Sequence, residues 1–141
     1  MRLSLGYPAP AAEKALLLGE ARRGLLPRLQ PLLEHRELAL IQAEVPKVRV
    51  SDALVDYLLR LVEATRSQPQ FAWGLSPRAS LALLAAAKAW AFLAGRDYVI
   101  PEDIQAVLPA VVGHRLREQA DPAGHGGGAL VQWLLREVPA L

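Results

Sequence analysis

Residues 77–94 read Pro-Arg-Ala-Ser-Leu-Ala-Leu-Leu-Ala-Ala-Ala-Lys-Ala-Trp-Ala-Phe-Leu-Ala, a stretch that is apolar on nearly every side at helical spacing. Lys88 is its only charge after the first turn. A helix with no polar face needs neighbours all round, so this one is predicted to sit in the middle of a helical bundle. Its alanines let those neighbours approach closely. Both ends are punctuated: Ser76 is a good N-cap, Pro77 suits the first helical position, and Gly95 suits the residue after the last turn.

The chain of 141 residues has room for one domain, or a domain with an appendage. It is 52% apolar but only 6% aromatic, so the core must be built from Leu, Ala and Val. The formal charge is +2 and the basic residues are spread along the chain with no Lys/Arg run, so no nucleic-acid partner is expected. With no cysteine, disulfides, thiolate metal sites and a cysteine nucleophile are excluded. The opening residues are too short an apolar stretch for a signal peptide. The longest apolar run, Leu81–Ala87, falls far short of the roughly 20 residues that span a bilayer. No membrane partner is expected, and the cytoplasm is the default location.

Alternation over residues 2–7 suits a short strand ended by Pro8 and Pro10, with no second strand nearby to pair with it. A first helix is predicted over 11–23, with Ala12, Ala15, Leu16 and Leu18 inward, and a short one over Glu37–Glu44. Ser51 caps an amphipathic helix to about Arg66, whose stripe is Leu54, Val55, Leu58, Leu61 and Val62. Tyr98–Ile100 reads as a brief extended piece beside Val48–Val50. Pro101 opens a helix with Ile104, Val107, Leu108 and Val111 inward, which Pro109 should end or kink. Asp121–Gly128 reads as a flexible Gly-rich tether, and a last helix over 129–137 offers Leu130, Trp133 and Leu134 to a groove. The fold class is all-α: a small bundle of about five to six helices, with at most a short vestigial N-terminal strand.

Self-sufficient catalytic motifs are missing. There is no Gly-x-x-x-x-Gly-Lys-Ser/Thr, and Gly124–Gly128 has neither a following Lys nor a preceding strand. Glu102 and Asp103 follow Pro101 and read as ordinary first-turn helix charges rather than a magnesium pair. His35, His114 and His125 share no ligand spacing, so no metal is expected. Trp73, Trp90 and Trp133 read as core or docking residues. One residue is out of place. Arg78 puts a cation in the first turn of a helix, against the macrodipole, at a cost of roughly 0.3–1 kcal/mol if exposed. It is either a solvated arginine beside a capped helix, or, with the Ser76-Pro77 helix start, part of a phosphate site.

Taken in order, residues 51–66, Gly-Leu-Ser-Pro-Arg-Ala-Ser (74–80), Leu-Ala-Leu-Leu-Ala-Ala-Ala-Lys-Ala (81–89), Gly-Arg-Asp-Tyr-Val-Ile-Pro-Glu-Asp-Ile (95–104) and His-Arg-Leu (114–116) closely resemble the C-terminal lid of MoxR-type AAA+ ATPases. Arg-Leu-Ser-Leu-Gly-Tyr-Pro (2–8) is similar to the last core strand that leads into that lid. The resemblance implies a division into a core-strand remnant (1–9), a helical lid (10–120), the tether (121–128) and a docking helix (129–141). It implies that Arg78 is the sensor-2 residue reaching ATP phosphates, with Ser76 and Pro77 of the same motif also in the cofactor-binding set.

Family members are implied to be ring-forming ATPases, often hexameric, that act as chaperone-like remodellers with von Willebrand factor A-type partner proteins. ATP with magnesium would then be bound only by the full-length ATPase, against its own N-terminal core. Walker A, Walker B, sensor 1 and the arginine finger are absent from these residues, so the chain alone is expected to be inactive, as an expressed fragment or a truncated gene product. The competing expectation is a stand-alone helical protein-interaction module with no nucleotide role.

Overall fold

The computed structural model describes residues 1–19, 27–120 and 127–140. Within them lie six α-helices: α1 (Pro10–Leu18), α2 (His35–Glu44), α3 (Asp52–Ser67), α4 (Pro77–Leu93), α5 (Pro101–Val112) and α6 (Gly127–Glu137). The fold is an all-α bundle. Residues 2–7 pair with no strand among the described residues. Among the described residues, their one main-chain tie to the bundle is the Arg2 N–H, which donates to the Ala110 carbonyl of α5 at 2.7 Å.

The core is built by α3 to α6. Ser51 caps α3 through Oγ, which accepts from Leu54 N–H at 3.2 Å. The buried face of α3 is Leu54, Tyr57, Leu58, Leu61, Val62 and Thr65. It differs from the expected stripe at one place: Val55 faces outward and Tyr57 takes its share of the core, its hydroxyl accepting from Gln105 Nε2 at 3.2 Å. On α4, Ala79, Leu83, Ala87 and Ala91 form one buried stripe four residues apart, and this small-residue surface packs closely on α5. Among the described residues the opposite side of α4 is open. Leu81 is 70% and Leu93 78% exposed, so the helix lies at the edge of the bundle rather than in its middle.

The loops between these helices are stitched by main-chain bonds. Arg49 and Tyr98 form a parallel bridge, in which Arg49 N–H donates to Asp97 and Val99 N–H to Arg49, placing Val48–Val50 beside Tyr98–Ile100 as expected. Phe71 and Glu118 form an antiparallel one. The α5 stripe Ile104, Val107, Leu108 and Val111 is buried as expected. Pro109 does not end α5, however. The helix runs on to Val112 and into a 3-10 turn, Gly113–Arg115. Pro109 is on the exposed side, where the carbonyl left without a partner four residues earlier can meet water.

The last helix begins at Gly127, two residues before the predicted start, so Gly127 and Gly128 are helical rather than tether. The rest of the expected tether, 121–126, lies outside the described residues. Leu130, Val131 and Leu134 are buried, and Trp133 meets Phe71 edge-to-face at 5.7 Å. Arg60 Nη2 on α3 donates to the Ala140 carbonyl at 3.0 Å, tying the end of the chain back to the bundle.

The described residues before Val45 behave differently. α1 stops at Leu18, and Ala12, Ala15, Leu16 and Leu18 are exposed, not inward. Residues 20–23, predicted to continue this helix, fall outside the described residues. α2 begins at His35, with Glu37 Oε2 accepting from the Glu34 N–H at 2.7 Å, and it too buries no residue. Periodicity marks a helix over 11–18 and another over 37–44, as found, but their apolar sides have no covering element among the described residues.

Candidate functional site

The helix start at 76–80 is held from behind by α3. Leu75 is buried, and both of its main-chain groups are bonded to consecutive residues of the last turn of α3. Its N–H donates to Thr65 Oγ1 at 2.9 Å, and its carbonyl accepts from Nε and Nη2 of Arg66 at 3.1 and 2.9 Å. The Thr65 hydroxyl donates in turn to the Val62 carbonyl at 2.6 Å, so this buried polar group is satisfied in both directions. Arg66 lies at the C-terminal end of α3, where a cation complements the helix dipole. Gly74 makes room for it: a Cβ there would collide with Arg66 Cγ and sit 3.0 Å from its Cα.

From this fixed point α4 starts with few unspent donors. Ser76 Oγ accepts from the Ala79 N–H at 3.3 Å, and Pro77 has no N–H to satisfy. The remaining first-turn N–H inside the helix is Arg78's own, and it has no acceptor among the described residues. Ser76, Pro77 and Arg78 are all exposed. The first turn contains no acidic residue, and among the described residues no carboxylate pairs with Arg78. Among the described residues, this end of α4 therefore presents a guanidinium with no carboxylate at ion-pair distance and an amide with no acceptor. Such a surface suits an anion and offers no ligand to a metal ion. Beside it runs a largely apolar groove of about 410 Å3 between α3 and α4, lined by Leu58, Leu81 and Leu84 among others, with Arg66 and Ser80 also on its wall.

The other end of α4 is closed as firmly. Gly95 takes φ +72°, its N–H donates to Phe92 and the Arg96 N–H to Ala91, the paired bonds of a Schellman motif. The chain then turns so that Arg96 meets Asp103 through two bonds, Nη1–Oδ2 at 2.7 Å and Nη2–Oδ1 at 2.5 Å. Asp103 is only 2% exposed, and Oδ2 also accepts from the Ile100 N–H at 2.9 Å. Burial pushes its carboxyl up, but the Arg96 and Ile100 hydrogen bonds and the Arg96 charge together hold it below the usual carboxylate range. The bond to Asp103 raises Arg96 above its ordinary value. Sequence reasoning takes Asp103 for an ordinary helix charge and misses this pair. The signal available was an arginine right after the terminating Gly95, with an acid at the third position of the next helix.

The remaining candidates are scattered. His35 is exposed, His125 lies outside the described residues, and His114 stands alone on the 3-10 turn after α5. His114 Nδ1 is buried without a hydrogen-bond partner among the described residues. Burial foremost, then the charge of Arg115, holds the imidazole below its ordinary value. Trp73 and Trp90 are exposed and stand outside the core.

Residues 63–132 match the family described as the AAA lid domain. Over 137 residues the chain is 34% identical to the Bacillus subtilis protein YeaC, covering 97% of this chain and 42% of the relative. It is 39% identical over 125 residues to the chaperone MoxR1 of Mycobacterium tuberculosis, covering 82% of this chain and 32% of that protein. A crystal structure of a candidate ATPase from Cytophaga hutchinsonii superposes with a TM-score of 0.76 at 28% identity, over 96% of this chain and 44% of that one. The chain thus spans less than half the length of the proteins it matches. The helical fold, the Ser76-Pro77-Arg78 helix start and these similarities agree: the chain belongs to the AAA lid-domain family, with MoxR-type proteins among its relatives.

Proposed function

We propose that this chain is the sensor-2 lid of a MoxR-type AAA+ ATPase, and that Arg78 contacts the phosphates of ATP held by an ATPase core. The observation that carries this reading is the exposed Arg78 guanidinium, unpaired among the described residues, on a first turn fixed by Thr65 and Arg66. An arginine there opposes the helix dipole unless an anion joins it, and a phosphate supplies that anion. Ser76 and Pro77 belong with Arg78 to the cofactor-binding turn: one caps it, and the other leaves no stray N–H. With no acid in this turn, magnesium would be held by the core and not by this chain.

In the ATPase the lid would move against the core as nucleotide binds and leaves, and the guanidinium would stabilise charge on the phosphates. The same reading includes a chaperone-like remodelling role in the cytoplasm. It also includes assembly with neighbouring protomers, as a hexameric ring, and a von Willebrand factor A-type partner. The test is Arg78→Ala in the ATPase that carries this lid, where kcat/KM for ATP should fall by at least about tenfold. Unchanged hydrolysis and nucleotide affinity remove the role.

A second reading, a stand-alone helical interaction module, draws on the uncovered leucines of α1 and α2. It predicts that the isolated chain forms a defined assembly whose mass depends on these helices. Sedimentation of the chain with Leu17 and Leu18 changed to Ser tests it.

A further inference from the structure

We infer that Arg66 is a positioning residue for the nucleotide site: it sets the first turn of α4, and through it the direction of Arg78, without touching nucleotide itself. The inference rests on the reading of Arg78 given above. Three observations meet at this point. Arg66 spends two of its donors on a single main-chain oxygen, the Leu75 carbonyl. Thr65, the preceding residue, takes the N–H of the same Leu75, so the peptide groups on both sides of that residue are fixed by adjacent side chains of α3. Gly74, the residue before it, has no space for even one carbon, and the atom in the way is the side chain of Arg66.

Leu75 immediately precedes the N-cap, so a rotation about its backbone carries Ser76, Pro77 and Arg78 with it. A solvated loop in that place would let the first turn fray and the guanidinium wander. The Thr65–Arg66 clamp removes that freedom before any ligand arrives, which is what a fixed contact to phosphate requires. Gly74 and Arg66 thereby form one device: the glycine exists at that position because the arginine crosses it.

Two substitutions break the device from opposite sides. Arg66→Gln shortens the donor, and Gly74→Ala pushes the intact donor away. In the ATPase that carries this lid, each is expected to lower kcat/KM for ATP by about tenfold, whereas in an Arg78→Ala background each should change it less than about twofold. Arg66→Lys, which keeps one donor within reach of the carbonyl, should recover part of the loss. In the 141-residue chain without nucleotide, Arg66→Gln and Gly74→Ala should both shift the Arg78 backbone amide resonance. Equal losses with and without Arg78 would mean that Arg66 acts on its own, and would overturn the proposal. So would a damaging Arg78→Ala beside a silent Arg66→Gln, or an Arg78 resonance that does not move. A silent Arg78→Ala is a different result: it removes the nucleotide reading itself, and this proposal with it.

Discussion

Arg96 and Asp103 lock the exit of α4 onto the entry of α5, two bonds of 2.7 and 2.5 Å joining a half-buried guanidinium to a buried carboxylate. The carboxylate is also the acceptor for the Ile100 N–H, so one side chain both pairs a charge and caps a helix. Removing it leaves the Ile100 amide without an acceptor and Arg96 with the Tyr98 carbonyl alone, 3.1 Å from Nη1. Asp103→Ala is expected to cost ~2–4 kcal/mol, below the value for a fully buried pair because Arg96 keeps access to water. Asp103→Asn retains an oxygen for Ile100 and should cost distinctly less. Chemical denaturation of the two variants checks the order, and equal losses would show that the amide contact carries none of the stability.

Acid should destabilise this lid in two stages, because two groups are held below their ordinary values. His114 is depressed chiefly by burial, then by Arg115, the amino terminus and Arg2. The unfolded chain therefore takes up this proton more readily than the folded one. The stability involved is present above the ordinary value of 6.5 and is lost as pH falls through the lower folded value. Asp103 repeats the pattern further down: its contribution is complete above about pH 4 and disappears as pH falls through the folded value. Denaturation midpoints between about pH 7.5 and 5.5 should decline in the unmodified chain and stay flatter in His114→Gln. Parallel slopes would assign the decline to another group.

What the sequence discloses about this fold is what repeats along a helix. The starts at Ser51, Ser76 and Pro101 and the stop at Gly95 are local chemistry, and the structure has each of them. So are the stripes of α3 and α5, apart from the exchange of Val55 for Tyr57. Burial of an all-apolar helix is not local. Nothing in α4 says which of its sides meets α5, and the alanine stripe wins because small side chains permit the closer approach. Residues 11–18 fail for the same reason: a hydrophobic face asks for a partner but cannot supply one. At the candidate site, Ser76-Pro77-Arg78 is legible as an electrostatic oddity. Its support is not, because Thr65 and Arg66 reach Leu75 across a nine- or ten-residue turn that no periodicity describes.

Gly127 and Gly128 are adjacent glycines with opposite constraints. A Cβ on Gly127 would collide with the Gly113 carbonyl oxygen and lie 2.8 Å from its carbon, main-chain atoms that cannot swing aside. A Cβ on Gly128 would meet nothing within 4 Å among the described residues. Gly127→Ala is therefore expected to cost about 2–3 kcal/mol by forcing α6 away from the turn after α5. Gly128→Ala should be neutral or add up to about 1 kcal/mol, since alanine is the better helix former. Thermal melts of the two single variants test the contrast. Similar values would mean that α6 does not approach Gly113 this closely in solution.

α4 gives the sharpest comparison between a face that is covered and one that is not. Leu83 is fully buried against α5, while Leu81, two residues earlier on the same helix, is 70% exposed. Both are leucines in one alanine-rich background, so helix propensity cancels and only packing differs. Leu83→Ala removes buried methyl groups and leaves a cavity, and is expected to cost ~3 kcal/mol. Leu81→Ala should change stability by less than about 0.5 kcal/mol. Denaturation of the isolated chain measures both. A large loss at Leu81 would mean that its face of α4 is covered in solution, as the all-apolar sequence alone predicts, and the groove beside Arg78 would then be filled rather than open.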